Sequence, residues 1–454
     1  LENFALSSTN AAADVSIDFG ATATTATIGL NKIVAGTTAA DDDVTLVGAK
    51  ITTVNINTTG TKSVVEKIDA LQATAVNIDA AVALETNNLS TTSAAATLTV
   101  TGAGKVDLGG LDVGFTTVNA AGNSGGIVAA IGTNDQTVMT GSTGNDVITA
   151  STTDALAAAD KLAVNAGNGT DTLVIAAAAD VNTAADAARY TGFETVRVTG
   201  DLDMSLISGV TAIEVASGGG VYTKMTAAQL ADITFLADNT TSTTFTLESA
   251  AGTADVANIK LASATATSNV DVIGVSVVGV ETVNVIASTG TNTSGDSDFG
   301  FLANSADSVK AVNISGSADV DLNIVANTFD VVAATIDASG LTGTGHLEIT
   351  GGVLFKGSKV IGSDNADTIA ISSTTGTTYE SGKGNDLFTG SLADLVQTGS
   401  DDTKIDGGDG TDKITLDDTT TTLTDNHFMG LSKVETLALS NTVGDAVITT
   451  GAAF

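Results

Sequence analysis

Cysteine, proline and tryptophan are all absent from this 454-residue chain. Each absence excludes something. Without cysteine there is no disulfide framework, so an exported protein needs another source of stability, and bound metal is the obvious substitute. Without proline, no ladder hydrogen bond in a sheet is interrupted and no slow prolyl isomerisation limits folding. Aromatic side chains are scarce, thirteen Phe and three Tyr, which leaves a core of small and β-branched residues suited to repeated strand layers. Lys and Arg number 17 against 52 Asp and Glu, a net charge of −35. That balance argues against nucleic acid and anionic lipid as partners, and it implies self-repulsion that divalent cations would relieve. The only histidines are His346 and His427, and with no cysteine beside them they leave no zinc site. No uninterrupted apolar stretch reaches about 18 residues, so no membrane-spanning segment is expected. No N-terminal signal peptide is visible.

What is present is glycine, 49 residues, and a hydrophobic fraction of 43%, enough for roughly two to four units with cores. Five stretches are variants of a nine-residue turn, G-G-x-G-x-D-x-U-x, with U a large apolar residue. Residues 407–415, G-G-D-G-T-D-K-I-T, match every fixed position. The others read S-G-K-G-N-D-L-F-T at 381–389, G-S-D-N-A-D-T-I-A at 362–370, G-S-T-G-N-D-V-I-T at 141–149 and A-G-N-G-T-D-T-L-V at 166–174. Glycine permits backbone angles closed to other residues, so carbonyl oxygens can turn toward a common point. The Asp adds a hard anionic oxygen, and the apolar residue two positions later enters a core as a strand begins.

One turn offers about half of the 6–8 oxygens that calcium takes, so a second must stack on the first. Asp367 and Asp386 are 19 residues apart, close to two repeats and one circuit of a calcium-binding β-roll. Asp386 to Asp412 is 26 and Asp146 to Asp171 is 25, circuits with insertions. The candidate calcium ligands and loop-shaping residues are therefore Gly141, Thr143, Asn145 and Asp146; Gly167, Gly169 and Asp171; Gly362, Asp364 and Asp367; Gly382, Gly384, Asn385 and Asp386; and Gly407, Asp409, Thr411 and Asp412. Asp296 and Asp298 join them, because S-G-D-S-D-F-G sets alternate oxygens in a stretch whose glycines allow a tight turn. Asp41 to Asp43, and Asp401 with Asp402, are acidic loops open either to solvation or to looser cation binding.

A second phrase recurs as a strand: F-E-T-V-R-V at 193–198, V-E-T-V-N-V at 280–285 and V-E-T-L-A-L at 434–439. The chain opens on a fourth copy, L-E-N-F-A-L, which leads to the expectation of a window cut from a longer repetitive protein. A larger period shows as well. V-N-A-A-G at 118–122 precedes the first calcium turn and I-D-A-S-G at 336–340 precedes the third, with Gly141 and Gly362 set 221 residues apart. The division that follows is 1–94, strand-rich; 95–220, a first turn-bearing unit; 221–309, a strand-rich connection; and 310–454, a second turn-bearing unit. The fold class expected is all-β, with repeated strand units stacked as parallel β-solenoid or β-roll rungs and a few short covering helices. Helical spacing marks 61–72, through Val64, Val65, Ile68 and Leu71, and 225–233, with Thr226 as cap. Weaker helical candidates are 155–162 and 184–190. The strand glutamates Glu194, Glu281 and Glu435 are expected to face solvent or cap a rung.

Catalytic constellations are wanting. G-N-S-G-G at 122–126 has the form of a nucleophile elbow, but that chemistry needs a positioned His and acid, and the equivalent stretch at 340–345, G-L-T-G-T-G, has no Ser. Ser124 reads as a turn residue and the chain as no enzyme.

With these turns and strands, the chain resembles the RTX-type surface-layer proteins of Gram-negative bacteria, which leave the cell by type I secretion. The resemblance covers about 95–220 and 310–454. It implies a secreted structural subunit that forms a two-dimensional lattice with copies of itself on the outer cell surface and needs calcium to fold and assemble. It also implies that Asp146, Asp171, Asp367, Asp386 and Asp412 are side-chain ligands, and that lipopolysaccharide or another surface glycan is met through a region outside this chain. Ala166 and Ser381 depart from the pattern at the first glycine, and Asn365 and Ala366 depart at the third-glycine region. The alternatives are a large RTX adhesin, or the non-catalytic part of a secreted RTX enzyme.

Overall fold

The computed structural model describes residues 3–7, 14–34, 43–152, 157, 159–249, 252, 254–262, 270–287, 297–302, 308–324, 329, 332–374, 376–395, 402–417, 422–439 and 447–448. Strand accounts for 51% and helix for 6%, in parallel sheets that make a β-solenoid of about 16 turns. The all-β solenoid expectation holds.

The chain forms two compact units, the first from Leu1–Val198 with Leu206–Thr211, the second from Thr199–Ser205 with Ala212–Phe454. In the first, successive strands alternate between two nine-stranded parallel sheets. One sheet runs from Asn3–Ser7 to Tyr190–Thr191, the other from Val15–Asp18 to Thr195–Val198. In the second, eleven strands from Leu202–Asp203 to Thr436–Leu439 form one sheet. The strands between them in sequence, from Ala212–Val215 to Leu431–Ser432, form the other.

Period-two patterning builds the rungs. Thr25–Asn31 and Thr53–Thr58 bury every second residue, and in-phase pairing stacks the buried ones. Ile28, Ile56, Ile78 and Val100 form one such column, and each of the four is at most 1% exposed. Burying one such side chain contributes about 1.5–3 kcal/mol. Every interior rung gives backbone N–H groups to its neighbour, so Val54→Pro would delete a bond that the stack uses. That need accounts for a proline-free chain. Aromatic stacking is concentrated in the second unit, as in Tyr222 on Phe245 and Phe299 against Phe301.

The four helix expectations fare differently. Thr226 caps Ala227–Leu230 with a full capping box to Gln229, and Ala184–Ala187 is a single turn. The helix expected at 61–72 is instead the strand Ser63–Asp69. Two consecutive outward residues, Glu66 and Lys67, shift the inward phase and leave Val65 and Ile68 three apart, a spacing that mimics a helix. Of the candidate at 155–162, residues 155, 156 and 158 lie outside the described residues, and 159–162 run as turn and irregular backbone.

Candidate metal-binding turns

Each unit carries one cluster of turns, built on the same plan. The residue at the eighth position of each turn, Ile148, Leu173, Ile369, Phe388 or Ile414, enters the core at no more than 1% exposure. That insertion anchors the turn and draws in the Asp two residues earlier. Asp146, Asp171, Asp367, Asp386 and Asp412 are likewise no more than 1% exposed. Buried carboxylates are costly unless they are bonded or paired, so each oxygen needs a partner.

Some of the partners come from a ladder between turns. The Asp367 N–H donates to Asp386 Oδ1, and the Asp386 N–H donates to Asp412 Oδ1, both at 2.8 Å. In the first unit the Asp146 N–H donates to Asp171 Oδ1 at 2.8 Å. Each carboxylate thus grips the turn before it. Glutamate closes both ladders: the Asp171 N–H donates to Glu194 Oε2 at 2.9 Å, and the Asp412 N–H donates to Glu435 Oε2 at 2.8 Å. Asparagine at the fifth position repeats the device, Asn145 Oδ1 accepting from the Thr170 N–H and Asn385 Oδ1 from the Thr411 N–H. The strand glutamates therefore cap rungs, one of the two roles expected of them.

Glycine is required where the turns stack. Gly382 has φ +101°, and a Cβ there would overlap the Ser363 carbonyl oxygen. A Cβ on Gly410 would overlap the Gly384 carbonyl. Likewise Gly167 lies against the Ser142 carbonyl, Gly169 against Gly144, Gly384 against Asn365 and Gly408 against Gly382. Side chains at Gly141, Gly362 or Gly407 would run into the carboxylate of their own turn. Backbone oxygens and one buried carboxylate per turn are what this close stacking brings together.

The five turns are of two kinds. In the first of each cluster the second position is Ser. Asp146 accepts from the Ser142 N–H at 2.7 Å, the Ser142 hydroxyl at 2.6 Å and the Ile127 N–H at 2.7 Å. Asp367 accepts from the Ser363 N–H at 2.7 Å, its hydroxyl at 2.8 Å and the Leu347 N–H at 2.7 Å. Both carboxylates are satisfied within the protein. In the later turns the second position is Gly167, Gly382 or Gly408, with no hydroxyl to offer. The Gly167 N–H is drawn away by Asn165 Oδ1 and the Gly408 N–H by Asp406 Oδ1. Asp171 Oδ2, Asp386 Oδ2 and Asp412 Oδ2 are then buried with no hydrogen-bond partner. The Ser381 hydroxyl lies near enough to Asp386 to offset part of the rise in its pKa, but it donates to the Gly407 carbonyl. Burial pushes Asp171 and Asp386 up to about 6, with neighbouring carboxylates adding to the rise. It also raises Asp146, Asp367 and Asp412.

The remaining candidates stand apart from these oxygens. The Thr143 hydroxyl donates to the Asn123 carbonyl. Asp364 is exposed and paired with Lys383, and Asp409 is exposed. Asp298 sits within the strand Ser297–Phe301, beside Asp321, so the tight turn expected there is a correction: the residue is part of a ladder. Asp41, Asp42, Asp296 and Asp401 lie outside the described residues. Asp43 opens the strand Asp43–Val47. Ser124 is an exposed bend between strands; His346 pairs with Asp319, and His427 Nδ1 accepts the Thr424 N–H.

Sequence reasoning passed over Ser142 and Ser363, whose N–H groups serve Oδ2 and whose hydroxyls serve Oδ1 of their Asp. It also passed over Asp255, whose N–H donates to Glu281 Oε2 at 2.9 Å and whose Oδ2 is again buried without a partner. The recurrent strand glutamate was its available signal. Among the described residues, no group of three or more Asp, Glu, His or Cys side chains is placed to hold a metal ion. No protein-family model matches the chain, and no curated protein does.

Proposed function

We propose that this chain is a calcium-stabilised structural protein, a subunit of a lattice on a bacterial cell surface of the RTX type. The observation that carries the reading is the set of three buried, partnerless carboxylate oxygens on Asp171, Asp386 and Asp412, each inside a stack of turns whose glycines lie against carbonyl oxygens. An all-oxygen set with a single carboxylate per turn suits a hard cation and offers nothing to zinc. Asp171 with the turns around Ser142 and Gly144 would hold one ion. Asp386 and Asp412, with the turns around Ser363, Gly382 and Gly384, would hold two more. A bound cation would neutralise carboxylates that burial otherwise pushes toward protonation.

The lattice part of the reading draws on the rung architecture and the charge. A net charge of −35 keeps copies apart until cations screen it, and repeated rungs give each unit a regular surface. No helix among the described residues is long and apolar enough to cross a membrane. The test is assembly of the purified protein. Ordered sheets or ring-like oligomers are expected on adding millimolar calcium, and dispersal on chelation. A chain that stays monomeric in calcium at high concentration, yet binds a host surface or glycan, would be an adhesin instead.

A further inference from the structure

The two sheets of the first unit differ in charge. The nine strands running from Val15–Asp18 to Thr195–Val198 carry Asp18, Asp43, Glu66, Lys67, Asp69, Glu85, Asp107 and Arg197. The nine strands running from Asn3–Ser7 to Tyr190–Thr191 carry one charged residue, Asp79. In a chain this acidic, such a face is unusual, and its side chains are ordered in rows. One register position reads Asn3, Thr27, Asn55, Asn77, Thr99, Asn119, Thr140, Asn165 and Thr191 across all nine strands. From Thr27 onward each is half-buried or exposed. Asn77 Nδ2 donates to Asn55 Oδ1 at 2.9 Å, and Asn55 Nδ2 donates to Thr27 Oγ1 at 3.2 Å. Two residues toward the N-terminus of each strand lies a parallel row of Thr25, Thr53, Ala75, Thr97 and Thr117. An open groove of about 390 Å³ runs along the face, lined by Thr27, Asn55, Asn77, Thr99 and Thr101 among others, with Asp79 its one charged residue.

We propose that this amide and hydroxyl face is a self-association surface that docks on the same face of a second copy of this chain. The inference rests on the lattice reading above and says which surface serves it. Three features select the occupant. Copies meeting through the acidic sheet would oppose like charges, whereas this face brings almost none. Each Asn side chain carries donors and an acceptor, and each Thr hydroxyl is both, so the rows are self-complementary. A ladder repeating every 4.7–4.9 Å finds its own period on another copy. Eight such steps by the one two-residue step between the rows make a strip of roughly 38 Å by 7 Å. That is roughly 270 Å² per partner against about 800 Å² for a standard stable interface. The contact is weak alone and effective when many act together, as in a lattice.

The experiment adds charge to one face or the other of the full chain. Asn119→Asp keeps the acceptor that holds the Ala121 N–H, and with Thr53→Glu it places two carboxylates on the neutral face. Thr45→Glu with Asn88→Asp places two on the acidic sheet. Assembly in millimolar calcium is followed by light scattering and electron microscopy, with circular dichroism and melting to confirm that both variants fold. The neutral-face variant is expected to need at least tenfold more protein to assemble, and the acidic-sheet variant to match the parent. A single Thr99→Cys, in a chain with no other cysteine, is expected to lose maleimide reactivity on assembly while Thr45→Cys keeps it. Should the parent assemble but both variants and both thiols behave alike, the proposed face is wrong and the lattice reading stands. Should the parent not assemble, both fall. A monomeric parent that binds a neutral polysaccharide, lost only in the neutral-face variant, overturns the second copy as occupant.

Discussion

The Ser turns and the Gly turns differ at one position and handle the same buried carboxylate in opposite ways. Asp146 and Asp367, with a Ser four residues earlier, have three protein donors each. Asp171, Asp386 and Asp412, with Gly there, keep one oxygen without a partner. A Ser turn can start a stack without help, because the second-position N–H serves Oδ2 while the hydroxyl and a backbone N–H of another strand serve Oδ1. A Gly turn leaves a desolvated anionic oxygen that only a proton or a cation can relieve. The second unit holds two such turns and the first holds one, so the second should depend more on the ion.

The largest effect expected is that of removing calcium. An ion that binds only the folded form stabilises it by about 2.7 kcal/mol per site at a hundredfold excess over Kd, so three Gly turns sum to roughly 8 kcal/mol. Calorimetric melting in excess chelator should show a sharp fall that magnesium does not restore, since Mg²⁺ demands tighter geometry and keeps its waters. Unchanged melting would end the metal reading. Next in size is a contrast of variants. Asp412→Asn or Asp386→Asn should remove one calcium from the stoichiometry seen by isothermal titration. Asp367→Asn should instead keep the stoichiometry and lower apo stability by about 1–3 kcal/mol, because it disturbs a satisfied buried network. Equal effects at the two kinds of position would erase the distinction drawn here.

A smaller effect is the pH dependence of the calcium-free protein. Asp171 and Asp386 rise from 3.8 to about 6 on folding, so the folded state holds protons that the unfolded state has released. Their protonated forms favour folding, and that advantage is lost as pH rises from about 4 to about 6. Denaturant midpoints without calcium should therefore fall across this window, and saturating calcium should remove the slope contributed by these groups. The smallest effect is that of Ser363→Gly, which deletes one hydroxyl donor. It should cost about 1 kcal/mol without calcium and leave the calcium stoichiometry unchanged, because the Leu347 N–H and the residue-363 N–H still serve the two Asp367 oxygens.

Much of the candidate site was legible because the turn motif ties each residue type to a backbone task. The eighth-position residues did enter the core, and the Asp residues of both clusters did align between turns. Asp364 and Asp409 are exposed, which the motif did not foretell, because it states which positions are free to vary, not which way their side chains face. Asp255 was harder to find because its turn lacks the glycine signature and its one signal, the strand glutamate Glu281, lies 26 residues away.

What the sequence determined by itself is local. Period-two alternation with β-branched residues made strands, glycine with Asp made turns, and the absence of proline allowed unbroken ladders. Only the tertiary structure decided register. Whether Glu66 and Lys67 both face outward, whether Asp386 grips Asp367, and whether nine Asn and Thr residues fall into one row depend on which residues of neighbouring rungs lie side by side. That is settled by packing between strands some 20–30 residues apart in sequence, where stacking of the buried columns selects one alignment and carries every outward side chain with it.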